Sequence, residues 1–370
     1  MTTSNRLNTA MIDKIAVSAY SIPTDFPESD GTLEWKKTDL IVVQASSGPT
    51  TGLGYTYADQ STAVLIKQLL APIVERCDAM DVHGCWCAMV HAIRNLGRPG
   101  ISSMAIAAVD NALWDLKARL LELPLVKLLG QVRSGIPVYG SGGFTSYSDK
   151  QLSKQFTHWA EQGIRMFKMK VGRAPKEDVR RVQAARRCIG NDAELFVDAN
   201  GAYSRKQALD FSFRFRESGV TWFEEPVSSD DLEGLRLLRD RVAEGIDIAA
   251  GEYGYDSGYF RRMLEAQAVD VLQADATRCA GITGFLKAGA LCEAHHMPLS
   301  AHTAPSVHLH ACCCLPAVRH LEYFHDHIRI EEMFFDGVVR PKDGSLYPDL
   351  TRPGLGLELR AVDAQQYQAA

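Results

Sequence analysis

The sequence has little that would tie it to nucleic acid, to a membrane or to an oxidising compartment. It carries 40 Lys+Arg against 45 Asp+Glu, a formal net charge of −5. It therefore lacks the basic excess that draws a protein to a phosphate backbone or an anionic lipid face. No uninterrupted apolar run reaches the ~18 residues that a membrane span requires. The N-terminal stretch MTTSNRLNTAMIDK has no apolar core of the kind that marks a signal peptide. Cysteines number nine, an odd count with no C-x-x-C pair, so neither a disulfide framework nor a zinc ribbon is indicated. Short repeats and low-complexity tracts are missing as well. What is left is a reduced, cytoplasmic globular chain. Its 370 residues, 46% of them hydrophobic, suit a barrel plus a second domain.

From Ile136 onward, short β-rich runs alternate with amphipathic stretches. The strand-like runs are Pro137–Ser141, Arg165–Val171, Glu194–Asp198, Val220–Glu224, Ile246–Gly251, Val269–Gln273, Pro298–Ala301 and Arg319–Tyr323. Helical patterns fall at Lys176–Cys188, Ser204–Glu217, Asp231–Ala243 and Gly281–His295, with Gly163, Gly190 and Gly219 placed as stop signals. Strands alternating with helices point to a parallel (β/α) barrel, although an open doubly wound sheet shares the alternation. The first part reads as α+β. Strands Ile15–Ile22 and Asp39–Gln44 flank a polar loop, Pro23–Lys37, and a Gly-, Thr- and Tyr-rich loop spans Ser46–Gln60. Helices follow, ending in Ser103–Leu121 and a turn led by Pro124. The expected division is a capping domain at 1–133, a barrel at 134–352, and a segment at 353–370 returning toward the cap.

In a parallel barrel the strand C-termini share one face, where reactive groups collect. An ionisable residue closes nearly every run here: Lys168 and Lys170, Asp198, Glu224, Glu252, Asp275, His302 and Glu322. From Lys170 to Glu322 the steps are 28, 26, 28, 23, 27 and 20 residues, each about one βα unit. All can reach one pocket. Asp198, Glu224 and Glu252 form an all-oxygen set from neighbouring strands. Hard carboxylates without imidazole or thiolate favour Mg²⁺, with Mn²⁺ as the alternative, and three unneutralised anions would repel. Asn200, two residues past Asp198, is expected on the same side as a ligand contact, whereas Glu225 is expected to face away and serve a salt bridge.

Lys168 and Lys170 share one strand face. Inside a barrel, mutual repulsion, desolvation and a nearby metal would lower their pKa values and make a neutral amine base. Asp275 and His302 suit a dyad in which the carboxylate fixes the imidazole tautomer. A Lys base and a His base would then flank a metal, a layout for removing the proton α to a carboxylate. Lys168 and a protonated Glu322 would help to stabilise the resulting dianion. Tyr55 and Tyr57 either reach substrate hydroxyls or simply pack. Arg278 faces pocket or surface. Asp25, Glu28 and Asp30 read as solvated, and Cys312–Cys314 beside His308 and His310 as packed core cysteines rather than a soft-metal site.

With these residues assembled, the chain resembles the mandelate racemase group of the enolase superfamily, in which a Lys or His base works with Mg²⁺. The resemblance rests on GRPGISSMAIAAVDNALWDLKAR and on KMK, VDAN, EEP, AGE, DA..CAGITG and SAH. It implies an α/β fold: a modified (β/α)7β TIM-type barrel with an N-terminal α+β capping domain. It implies Lys170 as base for one face and His302, with Asp275, for the other. It further implies Mg²⁺ on Asp198, Glu224 and Glu252, with Lys168 and Glu322 on the substrate carboxylate. The loops Pro23–Lys37 and Gly52–Asp59 would close over the pocket, and the subunits would form a homo-oligomer. The GLGYTY and SGGF strings resemble those of acid-sugar dehydratases and a sugar-lactone cycloisomerase. The reaction expected is Mg²⁺-dependent dehydration of a sugar acid, a small-molecule carboxylate, to a 2-keto-3-deoxy acid. Racemisation or epimerisation at the α-carbon and lactone cycloisomerisation are the alternatives, and a non-catalytic structural member is the least favoured.

Overall fold

The computed structural model describes residues 10–369; the first nine residues of the N-terminal stretch MTTSNRLNTAMIDK lie outside that range. Among the described residues, no helix is long and apolar enough to cross a membrane. Three antiparallel strands open the chain, β1 (Lys14–Ser29), β2 (Glu34–Ser47) and β3 (Thr50–Tyr57). Helices α1 (Val82–Ala92) and α2 (Ile101–Leu120) follow. Eight parallel strands come next: β4 (Ile136–Gly142), β5 (Met166–Lys170), β6 (Glu194–Asp198), β7 (Val220–Glu224), β8 (Asp247–Ala250), β9 (Val271–Ala274), β10 (Leu299–Ala301) and β11 (Val318–Phe324). A helix follows each: α3 (Asp149–Glu161), α4 (Pro175–Ile189), α5 (Arg205–Arg216), α6 (Leu232–Arg241), α7 (Ser257–Glu265), α8 (Gly281–Ala294), α9 (Pro305–Cys312) and α10 (His325–Phe334).

Each of the eight barrel strands lies within two residues of its expected span. Parallel pairing of β11 with β4 closes the sheet and removes the open doubly wound alternative. Ser204 caps α5 by accepting from Gln207 N, and the Gln207 side chain returns the contact. Because strand side chains alternate, each interior-facing pair stacks one residue above another. Phe196 lies beneath Asp198, Trp222 beneath Glu224, and His320 beneath Glu322. Tyr139, Phe196, Trp222, Ala249 and Val271 pack into a buried layer of their own. That aromatic floor supports the polar layer: Trp222 Nε1 donates to Glu224 Oε2 at 2.9 Å, and the Lys168 ammonium lies 5.4 Å from the Tyr139 ring centre.

The cap departs from expectation in two places. Pro23–Lys37 is not a free loop: β1 and β2 continue through it, pairing Glu28 with Trp35 and Ser29 with Glu34 after a register shift. Asp30 shapes the tight end by accepting from Thr32 N and Leu33 N, both at 2.6 Å. The stretch taken for a second loop is β3. Its glycines suggested a turn, but their function is close approach. A Cβ on Gly52 would lie 2.3 Å from Leu116 N, and one on Gly54 2.3 Å from Ala112 N, so the strand lies directly on α2. Gly54→Ala should lower the denaturant midpoint by an amount equivalent to about 3 kcal/mol, the upper part of the usual overpacking range. An unchanged midpoint would refute this packing role.

Helix α2 stitches the cap to the barrel through buried polar groups. Asp110 accepts from Thr283 N and Oγ1 at 2.9 and 2.7 Å. Asn111 accepts from Ile282 N at 3.0 Å and donates to Ala276 O. Asp115 accepts from Leu53 N and Leu355 N, both at 2.6 Å, and pairs with Arg119. Leu355 lies in the C-terminal segment, which runs back to β1, where Ser21 N donates to Tyr367 O at 2.8 Å.

Burial pushes Asp110 up to about 7, with the Thr283 hydrogen bonds opposing the rise. The folded state then holds this proton at pH values where the unfolded chain has released it, so Asp110 costs stability as pH rises from about 4 to 7. Asp110→Asn should flatten the fall in melting temperature across that window. An equal slope in both proteins would contradict the assignment.

Candidate active site

All eight ionisable residues that end the strand runs meet at one barrel mouth. Asp198, Glu224 and Glu252 are buried and present carboxylate oxygens within 4.8 Å of one another. Lys168 Nζ lies 2.5 Å from Glu224 Oε1, 2.9 Å from Glu322 Oε1 and 3.5 Å from Asp198 Oδ2. Lys170 Nζ donates to Asp198 Oδ2 at 2.5 Å. Across the mouth, His302 Nδ1 and Asp275 Oδ2 are 2.9 Å apart. Asp275 Oδ1 is fixed by Thr277 N and Oγ1 at 2.6 and 2.7 Å. His302 Nε2 faces the trio, 3.3 Å from Glu252 Oε2.

The chain reverses sharply just beyond these side chains. Asn200 (φ 46°), Glu225 (φ 36°), Thr303 (φ 50°) and Ala304 (φ 39°) all take left-handed backbone within two residues of Asp198, Glu224 or His302. Such strain needs a surrounding structure that over-determines it. It also ends the strand alternation, so facing cannot be extrapolated past the last ladder residue. Glu225 therefore differs from expectation. It is 1% exposed, with Oε1 buried and unpartnered, and makes no ion pair among the described residues. Burial first, then Glu252, Asp198 and Glu224, push its carboxyl well above the usual range. Asn200 donates its backbone N–H to Asp198 Oδ1 at 2.8 Å, and its side-chain Oδ1 is buried without a partner.

Without a cation in the trio, the lysines are not lowered. Burial favours their neutral form, but Glu224, Glu322 and Asp198 hold Lys168, and chiefly Asp198 holds Lys170, well above the ordinary value. Glu322 is not protonated. Despite burial, Lys168, His302 and Lys170 hold it at about 2. Of the two readings for the tyrosines, the contacts of Tyr55 are those of packing: it is fully buried, donates to Glu331 Oε1 at 2.6 Å and stacks on Phe335. Tyr57 stacks on His327 with ring centres 3.4 Å apart.

Burial opposes charge on His302, yet Glu252, Glu322 and Asp275 raise it to about 10. Arg278, undecided in the sequence, faces the pocket, with Nη1 3.2 Å from Glu252 Oε1. Cys312, Cys313 and Cys314 are buried. His308 and His310 accept from Ala276 N and Val126 N, so no soft-metal site forms there. The β1–β2 hairpin covers the mouth. A Cβ on Gly31 at its tip would lie 2.3 Å from Ala199 O and 2.8 Å from Val171 O.

Residues 21–130 match the family model for the mandelate racemase/muconate lactonizing enzyme N-terminal domain, and residues 151–364 match the enolase C-terminal domain-like model. The chain belongs to the mandelate racemase/muconate lactonizing enzyme family. Within that family it is similar to a solved mandelate racemase/muconate lactonizing enzyme-like protein from Rubrobacter xylanophilus: 53% identity, TM-score 0.95, covering 97% of this chain and 100% of that one. A structure of L-talarate dehydratase from Polaromonas sp. JS666, complexed with Mg and L-glucarate, is 30% identical. Its TM-score is 0.88, with 97% of this chain and 98% of that one covered. The 3,6-anhydro-alpha-L-galactonate cycloisomerase of Streptomyces coelicolor is 32% identical over 94% of this chain and 97% of its own.

Proposed function

We propose that the protein is a Mg²⁺-dependent sugar-acid dehydratase. The observation that carries this reading is the convergence of a lysine pair and an Asp–His dyad from facing sides of a buried carboxylate trio. Asp198, Glu224 and Glu252 fit a hard divalent cation: their oxygens converge, and Glu252 Oε2 has no hydrogen-bond partner. Bound there, Mg²⁺ supplies Lewis-acid stabilisation of the negative charge that builds on the substrate carboxylate.

The chain's own residues do the proton work. Lys170 becomes a base once the carboxylate charge that holds it protonated is neutralised by the cation. Its Nζ takes the α-proton. Lys168, held between Glu224 and Glu322, presents a fixed positive charge to the substrate carboxylate. Glu322 orients that lysine as an anion rather than acting as an acid. His302 Nε2 gives a proton to the departing β-hydroxyl, Asp275 holding the ring. Water leaves, and the enol product tautomerises to the 2-keto-3-deoxy acid. Asn200 is assigned to a substrate hydroxyl; Tyr55 and Tyr57 are given no part.

The cycloisomerase relative supports a second reading, lactone isomerisation on the same bases. Incubation with a panel of sugar acids and lactones, Mg²⁺ and D₂O, followed by NMR, separates the outcomes. A keto acid is the expected product. Lactone interconversion would replace dehydration by cycloisomerisation, α-deuteration alone would mean racemisation, and no reaction across the panel would sink all three. Nine free cysteines support a reducing, cytoplasmic setting. A symmetric homo-oligomer is proposed as the assembly, and light scattering at a monomer mass would rule it out.

A further inference from the structure

A second group of metal-ligating side chains stands where the β1–β2 hairpin meets the start of α10. Asp25 and Glu28 come from the hairpin and His325 from the barrel. One donor atom of each lies within 4.8 Å of the other two. His325 Nε2 is 3.1 Å from Asp25 Oδ2. Glu28 is 0% exposed; Trp35 Nε1 donates to its Oε2 at 2.9 Å, while Oε1 is buried without a partner. An ordinary surface ion pair explains Asp25 and His325 but leaves this oxygen unaccounted for.

The surroundings sharpen the need for a cation. Asp326 adds a further carboxylate, already bonded to Thr38 and Arg329. The Arg329 guanidinium is committed to that aspartate and to Pro23 O at 2.8 Å. Burial, Asp326 and Asp25 together push Glu28 up to about 9, against the opposing effects of Trp35 and Arg329. A buried anion in such a place is costly unless a cation joins it. Access exists: Asp25 and His325 line a cleft of about 310 Å³ with Phe26, Tyr147, Lys154 and His158.

We propose that Asp25, Glu28 and His325 form a second divalent-metal site, separate from the carboxylate trio, that pins the cap hairpin to the barrel. One imidazole with two carboxylates suits a borderline cation such as Zn²⁺ or Co²⁺ better than Mg²⁺, which prefers an all-oxygen shell. The intact protein, kept in millimolar Mg²⁺ to fill the oxygen site, is titrated with Co²⁺ and followed by visible absorption and by metal content after gel filtration. One equivalent of Mg²⁺-resistant Co²⁺ with a four-coordinate band is expected. His325→Ala, at a partly exposed position, should weaken that binding by at least ~10-fold. Glu28→Gln, which keeps the Trp35 contact, should do the same. Absence of Mg²⁺-resistant Co²⁺ binding, or an unchanged band and stoichiometry in His325→Ala, would overturn the proposal. If Glu28→Gln does not fold, His325→Ala decides alone.

Discussion

His302→Asn is expected to lower kcat on a sugar-acid substrate by about 10³-fold, the middle of the range for a positioned acid or base. The loss should be chemical rather than structural. Asn retains a donor for Asp275, whose other oxygen stays bonded to Thr277, so the far-UV spectrum and melting temperature should stay close to wild type. KM should change less than kcat, because His302 is assigned to the departing hydroxyl and not to the carboxylate anchor. Retention of more than a tenth of the wild-type rate would remove His302 from the mechanism. Lys170→Met gives the complementary test, abolishing exchange of the α-proton itself.

Glu252→Gln carries the second large effect. Loss of an outer-shell partner already costs a metal site about 10- to 100-fold in affinity, so removal of a ligand carboxylate should weaken Mg²⁺ binding by about 100-fold or more. Mn²⁺ titration followed by electron paramagnetic resonance reads this directly, independently of turnover. The substitution also removes an anion beside His302 and Arg278. Burial opposes charge on Glu252, yet these cations and Lys170 keep it well below the usual carboxylate range. Part of that stabilisation will be lost too, and the melting temperature without metal will report it. Wild-type Mn²⁺ affinity in Glu252→Gln would exclude the trio as the metal site.

The barrel and its reactive face were legible because nearly every strand run ends at or just before an ionisable residue. Hydrophobic period, strand end and ionisable side chain coincide at Asp198, Glu224 and His302, so spacing alone located the pocket. Facing failed where regular backbone stops. Glu225 was turned away by strand alternation, but its φ of 36° returns it to the acidic cluster. Pro226 gives no warning of this: a residue before proline is favoured in extended backbone, the opposite of the left-handed conformation Glu225 takes. Gly52 and Gly54 misled because glycine suits both a loop and a strand lying tight on a helix, and only the partner α2 distinguishes them. Charge state without the cation is not legible in the sequence, for a different reason. The lysines' pKa values depend on whether carboxylates or a cation dominate nearby, and at 2.5 Å from Asp198 and Glu224 the carboxylates dominate.

The account turns on proton removal at the α-carbon of a carboxylate substrate in a metal-loaded pocket. The direct measurement uses an acid sugar found active in the panel, deuterated at the α-carbon, with wild type, Lys170→Met and EDTA-stripped wild type compared in H₂O by NMR and mass spectrometry. The prediction is that Mg²⁺-loaded wild type loses the α-deuteron as product forms, and that neither the variant nor the stripped enzyme does. Product in which the deuterium has migrated quantitatively to the neighbouring carbon instead of passing to solvent, or turnover that persists after Mg²⁺ is removed, would contradict the account.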